Sequence, residues 1–406
     1  MIAPEPFFEP RGTPFSEFHR IRALTALGHQ VDLVTYPFGS DVSMPGLRVF
    51  RAPRPPFVRE VGIGPSLAKI PLDALLALSV VRRAFSGSYD AVHSHEEGGV
   101  IGVTVAALLR IPHLYDMHSS LPQQLTNFAF SRSTLIRRVF LAMERLMIRR
   151  SRVVIVICPA LEETVRAIEP NAHTVLIENA PGSAEERATA DQAAAVRRAI
   201  GIGSATPIVL YTGTFEAYQG LDLLFEAMAI VGRQVDARLV LAGGKPDHVE
   251  RARERARTAG IEDVTIFAGE RPATDIPAYL QAADVLVSPR SRGTNTPLKI
   301  YQYLRSGRPI VATRLLTHTQ VLSDDTAFLT GATAPAFADG ILAALRDKTR
   351  AERVGQRAIE LANTKYSDEA YLERTRQACA ALLSRVGEGL PDATRQPVAG
   401  SRKDVA

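Results

Sequence analysis

Between residues 288 and 313 the chain reads S-P-R-S-R-G-T-N-T-P-L-K-I-Y-Q-Y-L-R-S-G-R-P-I-V-A-T. The segment divides into a strand end (285–288), a polar loop carrying Arg290, Arg292 and Gly293, a helix over 297–305 and a second strand from Pro309. Pro297 suits the first helical turn, where a missing N–H costs nothing, and Gly307 stands where a helix stop belongs. A loop that leaves a strand's carboxyl end for a helix N-terminus offers unpaired N–H groups and the positive end of the helix dipole. Lys299 stands in that first turn, where a cation weakens the helix. A cation at the unfavourable end of a helix, beside Arg290, is what a phosphate site would look like.

The elements that must position these groups alternate along the chain. In the first half the pattern predicts strands at 2–3, 31–35, 47–51, 91–93, 113–116, 153–157 and 174–177, with helices over 15–27, 65–85, 98–109, 133–150 and 160–167. Only Ile2 and Ala3 precede the first loop, so the first strand reads as clipped and a start a few codons upstream is expected. Residues 178–189 are polar and aperiodic, which reads as a linker. The pattern then restarts, with strands at 208–212, 238–242, 264–268 and 285–288, and helices over 221–231, 249–258 and 276–283. Helices over 334–345, 350–363 and 368–384 follow, and 387–406 reads as a disordered tail. Strands separated by helices imply α/β architecture: two doubly wound, Rossmann-like domains facing across a cleft. The expected division is 1–178, a linker at 179–189, 190–366, and a last helix over 367–386 that crosses back to the first domain.

Open α/β sheets bind ligands at the carboxyl ends of their strands. The loops expected there, with the adjoining helix start, gather Arg11, His95, Glu96, His118, Glu216, Arg271, Arg290 and Lys299. Gly12 and Gly213 each follow a strand and precede a helix, where backbone approaches a ligand or turns tightly. The Gly243–Gly244 pair ends another strand and reads equally as a turn. A structural polar pair is the plain alternative for His95 and Glu96, and a core histidine the alternative for His118.

Composition narrows the function classes. With 406 residues, 46% hydrophobic and 22% charged, the chain has apolar mass for roughly two or three cores. A net charge of +5 spread over this length does not indicate nucleic-acid binding. Cys158 and Cys379 are too few for a disulfide framework and stand in no metal-ligand spacing, which fits a reducing cytoplasm. Neither a secretory leader nor a membrane-length apolar run is visible.

The two-domain layout, D-A-V-H-S-H-E at 90–96, D-M-H-S at 116–119, Y-T-G-T-F-E-A-Y-Q-G-L-D at 211–222 and T-P-L-K-I-Y-Q-Y-L-R-S-G-R-P-I-V-A-T at 296–313 resemble the retaining glycosyltransferases of family 4, whose fold is called GT-B. The resemblance implies a nucleotide-sugar donor, UDP- or GDP-linked, held by the second domain, an acceptor held by the first, and no metal or other cofactor. It implies that Gly213, Thr214, Glu216, Gly243, Gly244, Arg271, Gly293, Thr296, Pro297, Leu298 and Gln302 contact the donor. Arg11, Gly12, Thr13, His95 and Glu96 fall on the acceptor side, and His118, Arg290 and Lys299 at the reacting centre. The chain departs from the commonest pattern: the usual acids of the donor loop fall at Thr294 and Gln302, and the usual diphosphate cations near Thr214 and Gln219. A sub-type with a P-R…T-P-L-K donor loop matches Pro289, Arg290 and 296–299, and there Arg290 and Lys299 take over the diphosphate charge.

The function expected is transfer of a hexose, with retention of configuration, to a glycan or lipid-linked acceptor in cell-envelope or exopolysaccharide synthesis. A degenerate nucleotide- or glycan-binding protein of the same fold and a nucleotide-sugar epimerase remain as alternatives. Residues 132–152 carry seven arginines against Glu144 alone, interleaved with apolar residues at helical spacing. Such a helix either packs on a core with its arginines in water or attaches to an anionic membrane surface, here on its cytoplasmic side.

Overall fold

The computed structural model describes residues 1–8, 12–59, 61, 66–127, 133–178 and 187–384. The loop holding Arg11, most of the expected linker and the expected tail lie outside those residues. The first sheet is built from β1 (Ile2–Ala3), β2 (Val31–Thr35), β3 (Leu47–Arg51), β4 (Val92–His95), β5 (His113–Met117), β6 (Val153–Val156) and β7 (Thr174–Leu176). Its helices are α1 (Gly12–Ala26), α2 (Lys69–Phe85), α3 (Gly98–Leu109), α4 (Leu121–Asn127), α5 (Thr134–Arg150) and α6 (Pro159–Ile168). The second sheet takes β8 (Ile208–Thr212), β9 (Arg238–Ala242), β10 (Thr265–Gly269), β11 (Val285–Ser288), β12 (Ile310–Thr313) and β13 (Phe328–Thr330). With it come α7 (Ala190–Ala199), α8 (Leu221–Val231), α9 (Pro246–Thr258), α10 (Ile276–Ala282), α11 (Leu298–Ser306), α12 (Leu316–Thr319), α13 (Ala334–Arg346), α14 (Lys348–Thr364) and, last, α15 (Asp368–Leu383).

Strand order is β3-β2-β1-β4-β5-β6-β7 in one sheet and β10-β9-β8-β11-β12-β13 in the other, with every pairing parallel. Both sheets therefore reverse their winding beside their first strand. A crevice opens at that point, between the loops after β1 and β4 in one domain and after β8 and β11 in the other.

The strands of the second sheet are near-continuous apolar runs because both faces are covered. Alternate residues part to opposite sides. Val209, Tyr211, Leu239, Leu241 and Val287 pack beneath α8 and α13, whereas Ile208, Leu210, Val240 and Leu286 meet Tyr301, Tyr303 and Leu304 of α11. The first sheet splits likewise. Tyr115, Met117, Val154 and Val156 face α5 and α6, while Leu114, Val153, Ile155 and Val175 are covered by Tyr371, Ala378, Ala381 and Leu382 of α15.

Three local differences from the sequence reading have physical causes. α11 starts one residue late, because Pro297 adopts an extended ψ of 134° and serves as the N-cap. The pattern gives no helix at 190–199, yet α7 forms there, started by a capping box in which Thr189 Oγ1 accepts from the Gln192 amide while the Gln192 side chain returns to Thr189 N. α4 is also unforeseen; Glu144 holds its start by accepting from Leu121 N at 2.7 Å and Ser120 Oγ at 3.2 Å.

Candidate functional site

On the second domain the strand-to-helix loops converge on two cations. Lys299, 8% exposed in the first turn of α11, donates from Nζ to the Thr212 carbonyl at 2.9 Å and lies 3.6 Å above the Tyr211 ring. Arg290 donates from Nη1 to the Asn295 carbonyl at 2.7 Å and to Thr317 Oγ1 at 2.9 Å, with its guanidinium 5.0 Å from the Tyr218 ring centre. No carboxylate pairs with either among the described residues. Burial, and then the neighbouring Arg290, push the Lys299 ammonium well below its usual pKa; burial lowers Arg290 as well. A half-buried guanidinium and a buried lysine facing neutral partners at a helix N-terminus make a place where an anion is favoured.

Backbone shape brings the loops together. Gly213, at φ +127°, faces Lys299, since a Cβ there would lie 3.6 Å from Nζ. Gly243 has φ +125°, and a side chain on it would collide with the Gly213 carbonyl, so the close approach of the loops after β8 and β9 requires glycine at that position. Ser291 N donates to the Tyr218 carbonyl at 3.1 Å, tying the loop after β11 to the loop after β8.

The remaining donor-side residues surround this point unequally. Gly244 lies against the Phe215 ring, and Gly293 beside the Arg290 guanidinium. Tyr211 OH donates to the Thr214 carbonyl at 2.6 Å, and Gln219 Nε2 reaches Thr214 Oγ1 at 3.4 Å. Thr296 is buried just before the Pro297 cap, and Leu298 opens α11 half-buried. Gln302 is half-buried three residues after Lys299, on the same side of α11. Glu216 Oε1 stands 4.0 Å from His248 Nδ1. Arg271 is exposed, with its guanidinium 5.8 Å from the Tyr279 ring, and belongs to the rim rather than to the cation pair.

Across the crevice, the first domain buries a network of titratable groups. Asp116 accepts from Arg20 Nε at 2.9 Å and lies 3.4 Å from His93 Nε2 and from His118 Nε2. His118 Nε2 is 3.1 Å from His95 Nδ1, which lies 3.8 Å from Glu17 Oε1. Burial alone would raise Asp116, but Arg20, then His118 and His93, hold it well below the usual carboxylate range. Burial pushes His118 down to about 4 and His95 well below its ordinary value, so both imidazoles are neutral near pH 7. Glu17 is raised well above its ordinary value by burial and by Glu5. Glu96, raised by burial and then by Glu97, takes a left-handed φ of 46° and accepts from Ser119 Oγ at 3.1 Å and Gln124 Nε2 at 2.9 Å. Gly12 opens α1 and Thr13 is half-buried in its first turn, whereas Arg11 lies outside the described residues. His93, His95 and Asp116 bring ligand-type atoms within 4.8 Å of one another, but Arg20 already holds the carboxylate.

The sequence reading missed the residues that join the two halves. Asn295 Nδ2 donates to the His118 carbonyl at 2.7 Å, and Thr294 Oγ1 donates to Gln123 Oε1 at 3.1 Å. Gln320 spans the gap, donating to the Thr294 carbonyl at 2.6 Å and accepting from Ala160 N at 3.0 Å. Asn and Gln between charged loops carry no spacing signal of their own, and these contacts span more than 150 residues of sequence. Arg20 was equally unmarked, whereas Asp116 opens the D-M-H-S segment at 116–119 but was given no role of its own.

Two family models match the chain, one for each domain. Residues 19–180 match a glycosyl transferase 4-like domain, and residues 206–347 match glycosyl transferases group 1. Both halves of the chain are glycosyltransferase domains. A D-inositol 3-phosphate glycosyltransferase of Kribbella flavida is 28% identical over 367 residues, covering 84% of this chain and 83% of that protein. A 2-deoxystreptamine N-acetyl-D-glucosaminyltransferase of Streptomyces fradiae is 30% identical over 261 residues, 61% of each chain. Among solved structures, sucrose-phosphate synthase from Thermosynechococcus elongatus superposes with a TM-score of 0.77 at 22% identity, covering 94% of this chain and 98% of the other. Anabaena HepE in complex with UDP-glucose gives 0.74 at 16% identity, with the same coverage. These likenesses establish the fold as two facing Rossmann-like domains of the GT-B type.

Proposed function

We propose that the chain transfers a hexose from a UDP- or GDP-linked donor to a glycan or lipid-linked acceptor, with retention of anomeric configuration, in cell-envelope or exopolysaccharide synthesis. The observation that carries this reading is the pair of half-buried Arg290 and buried Lys299, gathered at the N-terminus of α11 without a carboxylate partner among the described residues. A diphosphate placed there would restore the ammonium charge that burial suppresses and would be stabilised most as it departs. Retention follows if the departing diphosphate itself takes the acceptor's proton on the face it leaves. Neutral His118, at the edge of the first domain, then serves as a hydrogen-bond partner to the transferring sugar. HepE, of the same fold, was solved with UDP-glucose, which supports a uridine donor as the first to try. Gln302 offers both a donor and an acceptor to a ribose diol in place of an acid. Attachment to an anionic membrane surface through α5 belongs to the same proposal, as does a position on its cytoplasmic side. Among the described residues no helix is long and apolar enough to cross a bilayer.

Calorimetric titration with UDP, GDP and ADP, on the wild type and on Lys299→Ala, tests the assignment. One nucleotide should bind, and the substitution should weaken it by about 1–3 kcal/mol, the value of a charge-assisted contact. Absence of binding by any of the three in the wild type would turn the reading towards a degenerate glycan-binding protein.

A further inference from the structure

Among the described residues, Asn295 joins the donor-side Arg290 and the acceptor-side His118 through a single residue. Its backbone carbonyl accepts from Arg290 Nη1 at 2.7 Å and from Thr317 Oγ1 at 2.6 Å, while its side-chain Nδ2 donates across the crevice to the His118 carbonyl at 2.7 Å. The His118 carbonyl can only accept, so the amide turns its nitrogen there, and Cys158 Sγ, on the first domain, approaches Asn295 Oδ1 at 3.9 Å. On the preceding residue, Thr294 Oγ1 turns to Gln123 on the first domain, and the Thr294 carbonyl is held by Gln320, which reaches on to Ala160 N. The position where an acid would otherwise face the sugar is therefore given over to a neutral bridge between the domains. All of these bridging bonds are uncharged, so they are individually worth about 1 kcal/mol and can break and re-form as ligands enter and leave.

We propose that Asn295 is a positioning residue that registers His118 against Arg290, so that closure of the crevice and assembly of the reacting site are one event. The proposal rests on the transferase reading above. The side chain of Asn295 is engaged with the first domain, at the His118 carbonyl and near Cys158 Sγ. It acts by holding the turn that carries His118, while its backbone keeps Arg290 aimed whichever side chain it bears.

The test compares the wild type with Asn295→Ala, Asn295→Asp and Gln320→Ala. Small-angle scattering reads the spread of the two domains. Calorimetry reads UDP and GDP binding, and nucleotide release from UDP-glucose or GDP-mannose reads turnover. In Asn295→Ala the radius of gyration should rise, the nucleotide dissociation constant should stay within about threefold of wild type, and turnover should fall about tenfold, as expected for one lost positioning contact. Gln320→Ala should open the molecule similarly with a smaller loss. Asn295→Asp adds a readout that a purely structural role would not move. Its carboxylate faces the His118 carbonyl with no hydrogen to give, whereas the protonated acid can donate. Its turnover relative to wild type should therefore recover as pH falls towards 5. Wild-type scattering together with wild-type turnover in Asn295→Ala would overturn the proposal, and so would either change occurring without the other. If the wild type binds no nucleotide, the transferase reading fails, and the scattering comparison by itself still decides whether Asn295 holds the domains together.

Discussion

At the scale of single residues, the chain buries imidazoles in their neutral form. Burial lowers His19, His113 and His318 to about 3 and His118 to about 4. The unfolded chain protonates each near pH 6.5, so between that value and the folded pKa it binds more protons than the native state, and stability falls as pH falls. Each such histidine should remove about 2 kcal/mol between pH 7 and pH 5. Glu17 and Glu96 act with the opposite sign, because their raised values make the native state lose stability as pH rises above the ordinary carboxylate range. His113 gives the clean measurement, since its ring bridges Ser94 Oγ at 2.7 Å and Ser151 Oγ at 2.8 Å and pairs with no carboxylate among the described residues. Denaturant melts at pH 7 and pH 5 should show a pH-dependent loss smaller by about 2 kcal/mol in His113→Gln than in the wild type. An equal loss in both would mean that the imidazole is already charged when folded. Residue type and strand-end position were enough to single out His118, Lys299 and Arg290. The protonation states were not legible, because they depend on which side chains burial brings together.

At the scale of elements, α5 shows both what periodicity reveals and what it hides. The sequence displays a basic amphipathic helix with one acid, but the structure turns that acid inward to hold α4. Met147 and Ile148 are buried with it, leaving Leu135, Val139 and Leu146 exposed. Spacing of four and seven residues puts these three on one ridge, with Arg138 and Arg145 on one flank and Arg150 on the other. The core-packed reading holds for the inward face of the helix, and the outward face carries the residues on which the membrane proposal rests. An apolar ridge flanked by cations, with no acid exposed along it, matches an anionic lipid surface, each cation adding about 1 kcal/mol. Vesicles rich in anionic lipid should sediment the protein at low salt. The charge-reversed variant carrying Arg138→Glu, Arg145→Glu and Arg150→Glu should stay in the supernatant, and raised salt should release the wild type. Equal binding of wild type and variant would remove the support for this surface.

At the scale of the whole molecule, the doubly wound pattern was legible because most strands are apolar runs bounded by turn residues and followed by a helix. The meeting of the halves was not, because it depends on pairs such as His118 with Asn295 and Ala160 with Gln320, 177 and 160 residues apart. Helix α15, the element expected to cross back, shows what the join rests on energetically. It follows the second domain in sequence yet covers Leu114, Val153, Ile155 and Val175 of the first sheet. Its Thr375 accepts from Arg20 Nη1 at 3.2 Å, and the Tyr371 ring lies 4.9 Å from the same guanidinium. Arg20 in turn holds Asp116, so the last helix props the network around His118 from behind. Leu382→Ala, which empties a buried position in that layer, should cost about 2–5 kcal/mol. If stability is partitioned by sheet rather than by sequence, the loss should appear in unfolding of the first domain. Hydrogen exchange should then quicken in β5 and β6 but not in β8 or β11, while nucleotide affinity at Lys299 stays unchanged. Faster exchange in β8 instead would mean that α15 belongs energetically to the domain it follows, and that His118 depends on it only through domain closure.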